Sequence, residues 1–254
     1  MKSRLAADSE YSSNDTKAKT SHDSSDMRFF ANKITLSCLI ALIGSTCAAG
    51  ELTTTVIDRL GHGVSDVVVT VALAETRASR QNPATAVSAR AVPTAAVMDQ
   101  QDLAFSPAVL VVGVGTLVQF PNNDTVSHQV YSFSEAKKFQ LPLYKGVRHP
   151  PMIFERAGVV VLGCNIHDEM VGYIYVTDAP FFGKTDAGGV LRLQNLPVGD
   201  YRITVWSPLI ADSSATLTRD VHVDEHETAG SRLQLTRELR AHPEPRPRRA
   251  DWAY

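Results

Sequence analysis

The sequence is short of cysteine, of any surplus of one charge, and of long apolar runs. Three cysteines in 254 residues are too few for a disulfide-dense scaffold. Lys and Arg total 25 against 27 Asp and Glu, so the basic surplus that nucleic-acid binding calls for is missing. The 15 glycines and 13 prolines are ordinary counts and exclude a collagen-like chain. The apolar stretch Ile34–Ile43 is about half the roughly twenty residues that cross a membrane. No window holds a 3.6-residue apolar period long enough for a long helix. There is no Gly-x-Ser-x-Gly elbow, phosphate loop or dinucleotide fingerprint, so a role other than enzyme is expected. What is present is 44% apolar residues, enough to bury a core.

The first fifty residues contribute little to that core. Residues 1–26 are rich in Ser, Asp and Lys. Arg28 and Lys33 then precede the apolar stretch, and Gly44-Ser45-Thr46-Cys47-Ala48-Ala49 closes it with small residues. Basic, apolar, small is the order of a secretory signal peptide. We therefore expect Met27 as the start, residues 1–26 as an upstream extension and cleavage after Ala48 or Ala49. The alternative is a cytoplasmic tail before a membrane anchor. A lipid-modified Cys47 is the lesser expectation, because Thr46 suits that reaction poorly. Export to the periplasm removes Cys38 and Cys47 and leaves Cys164 alone, unable to form an internal disulfide. No membrane span is expected after processing.

The remainder reads as all-β. Short apolar and β-branched runs bounded by turn residues include Leu52–Asp58, Val67–Leu73, Val109–Val112, Thr116–Phe120, His128–Phe133, Val159–Leu162, Val171–Val176, Leu191–Leu193 and Tyr201–Trp206. Residues 76–96 lack alternation and read as a linker. Residues 237–254, with three prolines and several arginines, read as a disordered tail.

The chemistry is concentrated in residues 97–179. Cys164, His167 and Met170 place a thiolate, an imidazole and a thioether three residues apart between two strands. A second imidazole, His128, follows the polar turn 121–127. One thiolate and two imidazoles make a trigonal site, which a thioether can cap as a weak axial donor, and that donor set suits copper. Soft sulfur favours the reduced ion and imidazole serves both states. One copper per chain is the expected cofactor, held by His128, Cys164, His167 and Met170. His149 and Met152 are the alternative ligands. A Cys164–His167 nucleophile pair fits less well, because the two lie three residues apart on a tight loop beside Met170.

This segment resembles the cupredoxins, the blue-copper proteins. The resemblance rests on Phe105-Ser106-Pro107, Val109–Gly113, Gly115-Thr116, Val118–Asp124, Phe154, Gly158 and the Cys-x2-His-x2-Met loop. The loop spacing is that of amicyanin and pseudoazurin. Met98–Gln100, Val130–Ser134, Phe139–Tyr144 and Gly163–Asp168 are most similar to exported methylamine-utilisation-like proteins. The resemblance implies a Greek-key sandwich and electron transfer. Gln129, Asn165, Ile166 and Leu162 depart from the family's usual residues around the ligands.

The flanking segments resemble two halves of a carboxypeptidase regulatory-like domain. Val56–Val69 looks like its first hairpin, and Thr185–Leu193 with Leu196–Val205 looks like its later strands. Residues 51–75 plus 180–236 are therefore expected to form a second small β-sandwich, interrupted by the cupredoxin-like segment. Two sandwiches in tandem are the alternative. The functional expectation is a periplasmic carrier of single electrons between a redox enzyme, such as a dehydrogenase, and a cytochrome or similar acceptor. The rival expectation is a copper-handling module, or one binding a carbohydrate or protein, without redox turnover.

Overall fold

The computed structural model describes residues 49–74, 95–146, 149–210, 217–225, 227–235 and 239. The expected leader, most of the linker and most of the tail lie outside these. The described residues form strands and turns, with no helix among them.

Two strands come first, β1 (Ala49–Ile57) and β2 (Val68–Leu73). Along β1 buried and open positions alternate, as a half-buried strand requires: Leu52, Thr54 and Val56 point inward. The middle of the chain adds β3 (Ala95–Val97), β4 (Asp99–Gln101), β5 (Ala104–Ser106), β6 (Val109–Gly113), β7 (Thr116–Gln119), β8 (Tyr131–Ser132), β9 (Phe139–Gln140), β10 (Met152–Phe154), β11 (Gly158–Gly163) and β12 (Val171–Thr177). Then come β13 (Phe181–Lys184), β14 (Val190–Pro197), β15 (Gly199–Trp206), β16 (Leu217–Val223) and β17 (Thr228–Gln234).

The early and late strands share sheets. β1 lies between β14 and β17, antiparallel to the first and parallel to the second. β2 lies between β13 and β15, and β16 adds to β15. Leu52, Val56, Val69 and Val71 bury against Leu196, Tyr201, Ile203, Val223 and Leu233 in one cluster. The middle strands form the sheets β6-β12-β11-β8-β9 and β10-β7-β3 and the hairpin β4-β5. Their own core holds Met98, Phe105, Phe120, Phe154, Leu162 and Ile174, together with Cys164 and Met170.

A third cluster joins the two groups. Trp206, at the end of β15, lies against Tyr173 and Tyr175 of β12 with ring centroids 5.9 and 5.2 Å away. Val68 and Val109 are buried in the same cluster. β12 thus presents Gly172, Ile174 and Val176 to the middle core and its two tyrosines to Trp206.

Three boundaries differ from the sequence reading. The linker was expected to reach Ala96, but β3 begins at Ala95, because its backbone pairs in parallel with β7. The tail was expected from residue 237, yet Leu239 bridges Ile210 and packs on the flanking core. The run His128–Phe133 is a regular strand only at Tyr131–Ser132. Its earlier part is held instead by a His128–Tyr144 bridge and a Leu141 amide bond to the Val130 carbonyl.

Candidate metal centre

β11 and β12 are adjacent antiparallel strands whose last shared pair is Gly163 with Val171. Residues 164–170 are the connection between them. Within it the Met170 amide donates to the His167 carbonyl at 2.9 Å, which turns the loop back over the end of the sheet. Cys164 therefore leaves the sheet end pointing into the core, 3% exposed, while His167 sits part-way out.

His128 arrives from the other side on a loop that the chain binds tightly. The Asn122 amide donates to the carbonyls of Val126 and Tyr144, and its Oδ1 accepts from the Asp124 amide. His128 and Tyr144 exchange both backbone hydrogen bonds, at 3.0 and 2.9 Å. The Tyr144 hydroxyl donates to the Phe120 carbonyl and accepts from fully buried Gln100, which also donates to the Pro121 carbonyl. Burial pushes Tyr144 up to about 12, with a smaller contribution from the charges of Asp99 and Cys164, so its hydroxyl stays a donor.

Three donor atoms meet. His128 Nδ1 and His167 Nδ1 are 3.2 Å apart, and Cys164 Sγ is 3.8 Å from the first and 3.7 Å from the second. The three residues form the metal-competent group among the described residues. A triangle with these sides has its centre about 2.1 Å from each corner, close to metal–nitrogen bonds of about 2.0–2.1 Å and metal–sulfur bonds of about 2.3 Å. The spacing fits a metal ion, and a thiolate with two imidazoles in a triangle fits copper. Met170 is 1% exposed and lies in the same core cluster as Cys164. His149 packs its ring edge-on against Tyr144 and lies outside the three-donor group, and Met152 lies on β10 against the core.

The electrostatics prepare the donors. Burial opposes ionisation of Cys164, but it is outweighed by hydrogen bonds from His128, the amides of Gln129 and Ile166, and His167, which bring the thiol down to about 6. Two of these partners are main-chain amides, so the unusual side chains at Gln129 and Ile166 leave that support in place. Burial also opposes charge on Asp124, yet the Leu103 amide, His128 and the Thr125 amide hold it down to about 2. His128 is raised: burial works against its charged form, but Cys164 and Asp124 overcome it.

Sequence reasoning picked out the three converging donors and missed what braces them. Asp124 accepts from His128 Nε2 at 2.9 Å. Its position four residues before His128 was the available signal, but a polar turn looks the same whether its carboxylate faces water or a ligand. Gln100 and Tyr144 fall in runs shared with the resembling proteins, but nothing in those runs shows their bracing role, which depends on long-range packing.

No protein-family model matches the sequence, and no curated protein matches it. Solved structures do resemble part of it. A reduced Cu(I) variant of amicyanin is 24% identical, with TM-score 0.31, over 35% of this chain and 89% of that one. A purple cupredoxin from Nitrosopumilus maritimus is 27% identical, with TM-score 0.29, over 33% of this chain and 99% of that one. A copper-containing nitrite reductase from Thermus scotoductus is 26% identical, with TM-score 0.30, over 34% of this chain and 23% of that one. Each likeness spans about a third of this chain.

Proposed function

We propose that the protein is an exported carrier of single electrons, with one copper held by His128, Cys164, His167 and Met170, and that it is not an enzyme. The observation that carries this reading is the convergence of two Nδ1 atoms and one Sγ around a point at bonding distance from all three. Copper there would supply a one-electron couple. The chain supplies rigidity: Cys164 is anchored at the end of paired β11 and β12, and His128 is pinned by Asp124 and Tyr144. Ligands fixed in this way move little when charge changes, which keeps exchange fast.

His167 is our candidate for the electron's exit, being the half-exposed member of the trio. Apolar side chains stand open on the ligand-bearing loops and at the strand end beside them: Ile166 at 53%, Val171 at 41%, Val126 at 40% and Leu143 at 56%. An apolar rim of this kind suits brief docking of a periplasmic redox protein, such as a cytochrome or a dehydrogenase. We assign residues 51–75 and 180–236 to one small β-sandwich, a grouping that the shared sheets of β1, β2, β14 and β15 support, and its regulatory-like character rests on the resemblance of its turn motifs. Its ligand would be a carbohydrate or a protein.

Voltammetry of the copper-loaded protein tests the carrier role. A reversible one-electron wave with fast exchange is the expected result. Copper that binds but cannot be reversibly reduced would favour a copper-handling module instead.

A further inference from the structure

We infer that Asp124, on the loop after β7 and held there by the β4–β5 turn, is the positioning residue that fixes the tautomer of His128 and tunes the metal centre. This rests on the copper reading above. Every acceptor position of its carboxylate is in use. Oδ2 accepts from the Leu103 amide at 2.7 Å and from His128 Nε2 at 2.9 Å. Oδ1 accepts from the Thr125 amide at 2.6 Å and from the Thr125 hydroxyl at 3.3 Å. The Asp124 side chain is 2% exposed and that of His128 is 0% exposed, so water competes with none of these bonds.

Two consequences follow from donor and acceptor chemistry. A carboxylate is acceptor-only, so the proton it faces must sit on His128 Nε2. That leaves the Nδ1 lone pair free, and Nδ1 is the atom facing Cys164 and His167. The carboxylate also adds a buried negative charge one ring away from the metal position, which favours the more highly charged oxidised ion and strengthens His128 as a donor.

The turn that supplies the Leu103 amide carries an unusual backbone. Asp102 and Leu103 both have positive φ, 52° and 61°. A leucine in this region is uncommon, and the conformation costs on the order of 1 kcal/mol. It is the conformation that brings the Leu103 N–H to Asp124 across 21 residues of sequence. A chain of hydrogen bonds thus runs from a strained hairpin turn through a buried carboxylate to a metal-facing imidazole.

The test uses Asp124→Asn and Asp124→Ala in the otherwise full chain. An amide has one acceptor oxygen, so in Asp124→Asn its NH2 must face either Thr125 or the pair Leu103 and His128. In metal-free wild-type protein, ¹⁵N NMR of the histidine rings, taken at a pH high enough that the raised His128 is neutral, should show His128 with its proton on Nε2 alone. Both variants should show a second tautomer with the proton on Nδ1. In copper-loaded protein both should lose at least tenfold in the preference for Cu(II) over Cu(I), read as a potential about 59 mV higher for a one-electron couple. Leu103→Gly keeps the amide and the positive φ, and should leave the tautomer and potential as in wild type.

Unchanged tautomer and unchanged potential in a folded Asp124→Asn protein would overturn the inference while leaving the copper reading intact. If wild-type protein fails to take up copper, the copper reading itself falls, whatever the NMR result for His128.

Discussion

Cys164 is at once a core residue and a poised donor. Its thiol, held near 6 against the ordinary 9.0, should be deprotonated in metal-free protein at neutral pH. Thiolate ultraviolet absorbance should therefore appear with a midpoint of about 6; a midpoint at the ordinary thiol value would show that the hydrogen bonds do not form. The sign is that of a lowered acid, so the ionised form is lost as pH falls through that point. Met170 should behave as a weak axial donor. Met170→Leu keeps the volume, so copper should stay bound while the potential rises, as loss of a donor penalises the oxidised ion more. A potential that does not move would remove Met170 from the ligand set. Gly163, directly before Cys164, leaves room for Tyr131: a Cβ there would lie 2.7 Å from the phenol ring. Gly163→Ala should cost about 1–3 kcal/mol in denaturant unfolding, because it forces the ring off the strand. Cys164, His167 and Met170 were legible because their spacing is local, and His128, 36 residues earlier, because it follows an Asn-rich turn that resembles the approach to a ligand histidine. Asp124, Gln100 and Tyr144 were not, because a buried carboxylate or amide is recognised only by what folds over it.

At the scale of elements, β11, the ligand loop and β12 act as one hairpin, and the strand pairing sets the loop's reach. The rim follows from it. Val171 opens β12 and is 41% exposed, so Val171→Lys should leave the copper spectrum unchanged. It should slow electron exchange with a redox partner roughly tenfold, because an unpaired charge at an apolar docking face weakens the encounter; a tenfold loss corresponds to about 1.4 kcal/mol. Stopped-flow mixing measures this, and an unchanged rate would place docking elsewhere. Strands carried by short apolar or β-branched runs between turn residues, such as β1, β2, β6 and β15, were readable in advance. β16 and β17 were not: the runs Leu217–Val223 and Thr228–Gln234 are polar on one side and expose most of their residues, so they carry little hydrophobic signal.

Over the whole molecule, the middle strands and the flanking strands have separate cores, and Trp206 with Tyr173 and Tyr175 links them. The sequence suggested this division because two turn motifs of one resembling domain lie about 110 residues apart. It gave no hint of the aromatic contact, which depends on how two sheets meet. Trp206 is 8% exposed, and Trp206→Ala should remove about 3–5 kcal/mol of packing. Calorimetry of the copper-loaded proteins should show one unfolding transition in wild type and two in the variant, and a single transition in both would mean that the cores are coupled by something else.

The central claim is that Cys164 bonds to copper between His128 and His167. Its most direct test is the visible absorption and electron paramagnetic resonance of copper-loaded protein beside Cys164→Ser. The account predicts one copper(II) per chain, an intense thiolate-to-copper band in wild type and no such band in Cys164→Ser. A Cys164→Ser protein that keeps the full band would contradict it.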